Sequence, residues 1–289
     1  MKHVCLIVLL LGFESAPVPA QSITPEAVFP AAPSGFAGTL PGMFPRTRVP
    51  AREAPPILTG VTLPRMAPDV ALAACQTRMA RQKEVLASSY STMTVRAELP
   101  DTSQKGEFEL QRHYAAPRTL EFSAVHFTGD GFVKKNVITR VLQSEVDHVQ
   151  KDPPALTALS PENYKFSQRG TTQIGDHFVH VFQVKPRRKR LGLFKGHIFV
   201  DAYTGSLVRV EGRLVKSPSF FLKDIDFVQE YSDVDGFTVP VHIHSEAKTR
   251  LVGRVIVDIF ERDYRLVPTA GEQMARGVPL LATPLPDQN

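Results

Sequence analysis

Apolar and polar residues alternate along most of this chain, and a period of two marks strands whose two faces meet different surroundings. Three such runs follow one another, Met93–Leu99, Glu107–Tyr114 and Thr119–Phe127, broken at Asp101–Gly106 and Ala115–Arg118. A longer meander comes later: Tyr164–Gly170, His177–Pro186, Lys195–Asp201, Leu207–Val215, Leu222–Ser232, Phe237–Ala247 and Val252–Arg265. Its connections are short and carry turn residues, Asp201-Ala202-Tyr203-Thr204-Gly205 and Asp233-Val234-Asp235-Gly236 among them. Sequential antiparallel pairing is the economical topology.

Two segments break the alternation. Asp69 follows Pro68 as an expected N-cap, and Val70, Ala73, Ala74, Met79, Val85 and Leu86 form a loose helical stripe reaching about Ser88. Val133, Val137, Ile138, Val141, Leu142 and Val149 recur at helical spacing, which predicts a second helix over Phe132–Val149 despite the β-branched content. On Phe237–Ala247 the pattern puts Phe237, Val239, Val241 and Ile243 on one face and Thr238, His242, His244 and Glu246 on the other. On Leu222–Ser232 it sets Ile225, Phe227 and Tyr231 against Asp224, Asp226 and Glu230. One face is thus apolar on strand after strand, and two helices are few to cover it, which predicts an apolar cavity. The residues expected to line it are Ile198, Val200, Val208, Val210, Ile225, Phe227, Val239, Val241, Ile243, Val255 and Val257. The resulting fold class is mainly β (α+β): a large, strongly bent antiparallel sheet with two helices over its apolar concave face.

The ends have a different composition. Lys2, an apolar run from Val4 to Phe13 and small residues at Val18 and Ala20 predict a secretory signal peptide over 1–20, cleaved after Ala20. The run spans about ten residues where a bilayer-crossing helix takes roughly 20. Cys5 lies inside it and not behind a lipidation spacer, so a periplasmic protein without a lipid anchor is expected. Residues 21–68 hold ten prolines and show no apolar period, which predicts a disordered linker. The folded domain is expected over 69–267, and the Pro- and Gly-bearing stretch 268–289 reads as a disordered tail. Loss of the leader would remove Lys2 and Glu14 together and keep the net charge at +5, which permits an anionic partner without demanding one. Cys75 would be the single remaining cysteine, so no internal disulfide is expected.

Alternate connections of a meander fall on the same edge of the sheet. Asp201, Asp233 and Asp235 therefore share one rim. The other rim gathers Arg187, Arg188, Lys189, Arg190, Lys195, Lys248 and Arg250 with Leu191, Leu193, Phe194, Phe220 and Phe221. Cations interleaved with apolar groups suit transient docking on an anionic membrane surface, where each Lys or Arg contributes on the order of 1 kcal/mol.

Catalytic signals are sparse. His242 and His244 share a face two residues apart, and a zinc site there would need a third ligand such as Glu246; solvent-facing polarity explains the pair more simply, so no metal is expected. Asp224, Asp226 and Glu230 follow from alternation alone. The chain has no Gly-x-Ser-x-Gly elbow, His-Glu-x-x-His pair or phosphate-cradling glycine loop, so no catalytic residue and no cofactor is assigned. Nucleic acid is not an expected partner, since no strand face interleaves cations with stacking aromatics.

The exported start, a helix feeding a strand, an intermediate helix and the hairpin Ile198-Phe199-Val200-Asp201-Ala202-Tyr203-Thr204-Gly205-Ser206-Leu207-Val208-Arg209-Val210 together resemble the periplasmic lipoprotein-carrier superfamily, the LolA, LolB and RseB-like proteins. Asp201 and Thr204-Gly205 match most closely. Over roughly Asp69–Leu266 the resemblance implies an unclosed antiparallel barrel, a LolA-like half-barrel, that binds acyl chains. The implied function is a periplasmic carrier or binder of lipids, lipoproteins or other acylated molecules in envelope lipid and lipoprotein sorting, with a membrane protein as donor or acceptor. The alternative is an RseB-like regulatory protein that docks a membrane-protein partner and senses lipid.

Overall fold

The structure, a computed structural model, describes residues 64–151, 153–217, 222–250 and 253–276. The expected signal peptide, nearly all of the Pro-rich linker, Phe220 and Phe221, and the tail beyond 276 lie outside these residues.

Helix α1 (Pro68–Val85) leads directly into β1 (Leu86–Leu99), which is followed by β2 (Gln104–Ala115) and β3 (Thr119–Gly129). Pro68 occupies the first turn, where its missing N–H costs nothing, and the N-cap is Ala67 without a side-chain bond; Asp69 lies one position inside. A second helical stretch follows: α2 (Gly131–Val133), a π-helical segment (Lys134–Ile138) and α3 (Thr139–Lys151). Asp130 caps its start by accepting from the Phe132 amide at 2.7 Å. The meander then runs through β4 (Tyr164–Ile174), β5 (His177–Pro186), β6 (Phe194–Asp201), β7 (Leu207–Leu214), β8 (Leu222–Val234), β9 (Phe237–Thr249) and β10 (Arg254–Pro268).

All ten strands form one antiparallel sheet in the order β3-β2-β1-β10-β9-β8-β7-β6-β5-β4. The one non-sequential pair is β1 with β10, which zips from Leu86 opposite Pro268 to Glu98 opposite Ile256. That pair joins the first three strands to the meander and leaves β3 and β4 as the free edges, so the sheet is not closed. The chain between those edges carries α2 and α3. Register shifts in β1–β10, β2–β3, β4–β5, β6–β7 and β8–β9 each insert a residue, and such bulges bend a strand; this is how so wide a sheet curves.

The concave face holds the core. Met93, Val95, Ala97, Leu99, Phe108 and Leu110 on β1 and β2 meet Val133, Val137, Ile138, Val141 and Leu142 from the second helical stretch. Each fully buried side chain of this size contributes about 1.5–3 kcal/mol, so the helices are held mainly by area. Helix α1 buries Ala71, Cys75, Met79 and Gln82 and leaves Val70 half exposed, a stripe displaced from the expected one because its contacts lie at the rim of β6–β9. Gln82 fixes that position with two bonds to Thr238, donating to its carbonyl and accepting from its amide at 2.9 Å each. Strand β10 reaches Pro268 and a short helix α4 (Ala270–Ala275) follows, tied to α1 through Glu272 and Arg81 at 3.1 Å.

Candidate functional site

Most of the residues expected to line the interior face inward. Ile198, Val200, Val210, Ile225, Phe227, Ile243, Val255 and Val257 are buried in the larger of two apolar clusters. Val239 belongs to the smaller one with Leu86, Tyr114, Leu120, Val149 and Phe237. Val208 is buried but joins neither cluster; the bulge between β6 and β7 sets Leu207 opposite Val200 and brings Leu207 into the core instead. Val241 is half-buried and joins neither cluster; the bulge between β8 and β9 sets Glu230 opposite His242 and Tyr231 opposite Pro240 and leaves Val241 as the extra residue.

The interior also holds a polar network. Arg112 on β2 donates to Glu145 Oε1 on α3 from Nη2 at 3.1 Å and from Nε at 3.3 Å. Glu261 on β10 accepts from Ser91 Oγ at 3.0 Å and from Tyr264 Oη at 2.7 Å. Burial, joined by the charge of Glu261, pushes the Glu145 carboxyl above its ordinary range in spite of Arg112, and Glu145 Oε2 is buried without a hydrogen-bond partner. Burial works against the Arg112 charge, yet Glu145 and Glu261 outweigh it and keep the guanidinium protonated. Burial also holds the Tyr264 hydroxyl protonated as a donor. Sequence reasoning assigned none of these residues, although a signal was present: Arg112 is in phase with Phe108, Leu110 and Tyr114, Glu261 with Val257 and Ile259, and Glu145 with Val141 and Val149.

The two rims differ as the meander implies, with changes of detail. At the acidic rim Asp201 and Asp233 are structural. Asp201 Oδ1 accepts from the amides of Tyr203 and Thr204 at 2.9 and 2.8 Å, while His177 lies 2.9 Å from Oδ2. Burial alone would raise this carboxyl, but those bonds outweigh it and hold it below the usual range. Asp233 accepts from Arg78 and Thr238, which binds α1 to this end of the sheet. Gly205, at φ +69°, allows α1 to approach, since a Cβ there would lie 2.7 Å from that of Ala74. Cys75, on the buried face of α1, has its thiol pushed up to about 12 by burial, which makes it inert.

At the basic rim Arg187, Arg188, Lys189, Lys195, Lys248 and Arg250 are exposed and Arg190 is half-buried. Leu193 and Phe194, expected among the exposed apolar groups, are instead core residues: the chain turns inward at Gly192, and the Phe194 ring packs on Tyr164 and Phe227. Leu191 is the exposed apolar residue of this loop. An acid also reaches this rim, because Asp101 in the β1–β2 turn accepts from the Arg254 amide. Arg187, Arg188, Lys189 and Lys195 line a cleft of about 490 Å³.

On the convex face His242 and His244 share one carboxylate oxygen, Asp258 Oδ1, at 3.1 and 2.9 Å. Among the described residues no group of three or more His, Cys, Asp or Glu is set to hold a metal ion. Asp226 is clamped by Arg213 at 2.6 Å. Among the same residues no helix is long and apolar enough to cross a membrane.

Residues 156–262 match the model of a family of unknown function (DUF5686). No curated protein matches the chain. Several solved structures are similar in fold. A LolA superfamily protein from Nitrosomonas europaea is 10% identical, with 72% of this chain and 97% of that one covered at a TM-score of 0.36. A DUF1329 family protein from Desulfovibrio piger is 12% identical, with 70% and 93% covered at 0.38. An outer membrane lipoprotein-sorting protein domain from Vibrio parahaemolyticus is 13% identical, with 73% and 98% covered at 0.35.

Proposed function

We propose that this protein is an exported, periplasmic binder or carrier of acylated molecules, acting by binding and not by catalysis. The observation that carries the reading is the unclosed sheet whose concave face is apolar across both of its halves and is covered by two helical elements attached at different places. Such a face offers an acyl chain roughly 0.8 kcal/mol per buried methylene without any specific polar contact.

The apolar side chains of the concave face are buried beneath the helical elements, so a chain enters as a helix moves off the sheet. The α3 stretch suits this movement. Its buried charge pair regains water when the helix lifts, which offsets part of the cost of exposing apolar surface, and the π-helical segment supplies an irregular hinge. The cationic rim serves as the membrane-facing mouth. Release requires an acceptor with a better-matched site.

Mass spectrometry of the organic extract of the purified protein tests this: an acylated molecule in near-stoichiometric amount is expected. Val241, half-buried, permits a folded variant, and Val241→Glu is expected to lower the recovered lipid while thermal unfolding stays cooperative. A lipid-free extract from wild-type protein that also takes up no fatty acyl probe rejects the reading.

A further inference from the structure

The cleft at the basic rim has features that membrane docking alone does not require. Among the described residues five cations line it, Lys185, Arg187, Arg188, Lys189 and Lys195, and none of the lining residues is acidic. Glu162 offsets part of the Arg187 charge from outside the lining. The Arg187 side chain is fixed, its Nε donating to the Pro161 carbonyl at 2.6 Å, so the loop is held in place at this point.

The floor is apolar and joined to the interior. Val184 lines the cleft and is a fully buried member of the larger core cluster, and Val215 packs against the same cluster. Gly196, also in the lining, is paired with Gly212 across β6 and β7. A Cβ at Gly196 would lie 1.9 Å from the Glu211 carbonyl, and one at Gly212 would lie 2.4 Å from that of Lys195, so no side chain fits at either position. A concave site of this volume, with cations around its wall and an apolar base leading into the core, suits a small amphiphile with an anionic head better than a flat protein surface.

We infer that this cleft is the headgroup site for an anionic phospholipid: Lys185, Arg188, Lys189 and Lys195 hold the phosphate while the acyl chains pass Val184 toward the interior. This rests on the acyl-binding reading and narrows its cargo to phosphate-bearing lipids. Phosphate is the natural ligand because its oxygens accept several charge-assisted hydrogen bonds at once.

Calorimetric titration of the full protein with short-chain phosphatidylglycerol, the matched neutral diacylglycerol and inorganic phosphate tests the assignment. Wild type is expected to bind the phosphatidylglycerol roughly tenfold or more tightly than the diacylglycerol, with free phosphate unable to displace it. A variant carrying Lys185→Ser, Arg188→Ser and Lys189→Ser is expected to lose that preference and keep its affinity for the diacylglycerol; Lys195→Ser alone serves if the triple variant does not fold. Equal affinity for both lipids in wild type, or a preference that survives the substitutions, overturns the headgroup site and leaves acyl binding standing. Displacement by free phosphate overturns it in favour of a general anion site. Failure of both lipids to bind overturns the acyl-binding reading and this inference together.

Discussion

Arg112 on β2 and Glu145 on α3 meet at 3.1 Å inside the fold, with side chains only 2% and 9% exposed. Removing one partner leaves the other charge buried, which costs more than the pair contributes. Arg112→Met is expected to destabilise the protein by about 3–5 kcal/mol, and Arg112→Met with Glu145→Leu to recover most of that loss. A double-mutant cycle in urea measures it, and additive losses would argue against direct coupling.

Asp201 gives the fold an acid limb. Its carboxyl is held below its ordinary value in the folded state, so its contribution is fully present above the unfolded pKa of about 3.9 and is lost as pH falls through the lower folded value. Asp201→Asn is expected to be less stable than wild type near neutrality, and the two curves should converge in acid. Unfolding free energies measured from neutrality into acid check the convergence.

Gly205 sets the distance between α1 and the β6–β7 turn. Gly205→Ala combines a left-handed backbone with a close approach to Ala74, and a destabilisation of about 1–3 kcal/mol is expected. Because the added Cβ presses on α1 at Ala74, the neighbouring Cys75 thiol, buried in the native protein, should become open to alkylation in this variant before global unfolding. Mass-resolved labelling separates the two events.

Arg188 and Lys189 are exposed on the β5–β6 loop beside the half-buried Arg190. Their replacement by serine is expected to weaken binding to vesicles containing anionic lipid by tenfold or more, at roughly 1 kcal/mol each, and added salt should weaken wild-type binding in the same direction. Sedimentation with vesicles reads both; unchanged binding removes the rim from the mouth.

Much of this architecture was legible in local pattern. The strands from Glu107 to Arg265 lie close to where alternation put them, since a strand with one dry and one wet face writes its period into the sequence. The buried face on β8 and β10 followed for the same reason. Where the reading slipped, a bulge had changed the phase, as at Val208, or a loop residue had been drawn into the core, as at Leu193 and Phe194.

The chain by itself determined which segments are strands, where they turn and which rim carries the cations, because these depend on neighbours a few residues apart. Only the tertiary structure decided that β1 pairs with β10, which leaves β3 and β4 free and sends α3 over the concave face. The same pairing placed Glu261 with Ser91 and drew the Arg112 guanidinium to Glu145. The Arg112 and Glu145 partners lie 33 residues apart and the Ser91 and Glu261 partners 170, and no local period encodes a contact at that range.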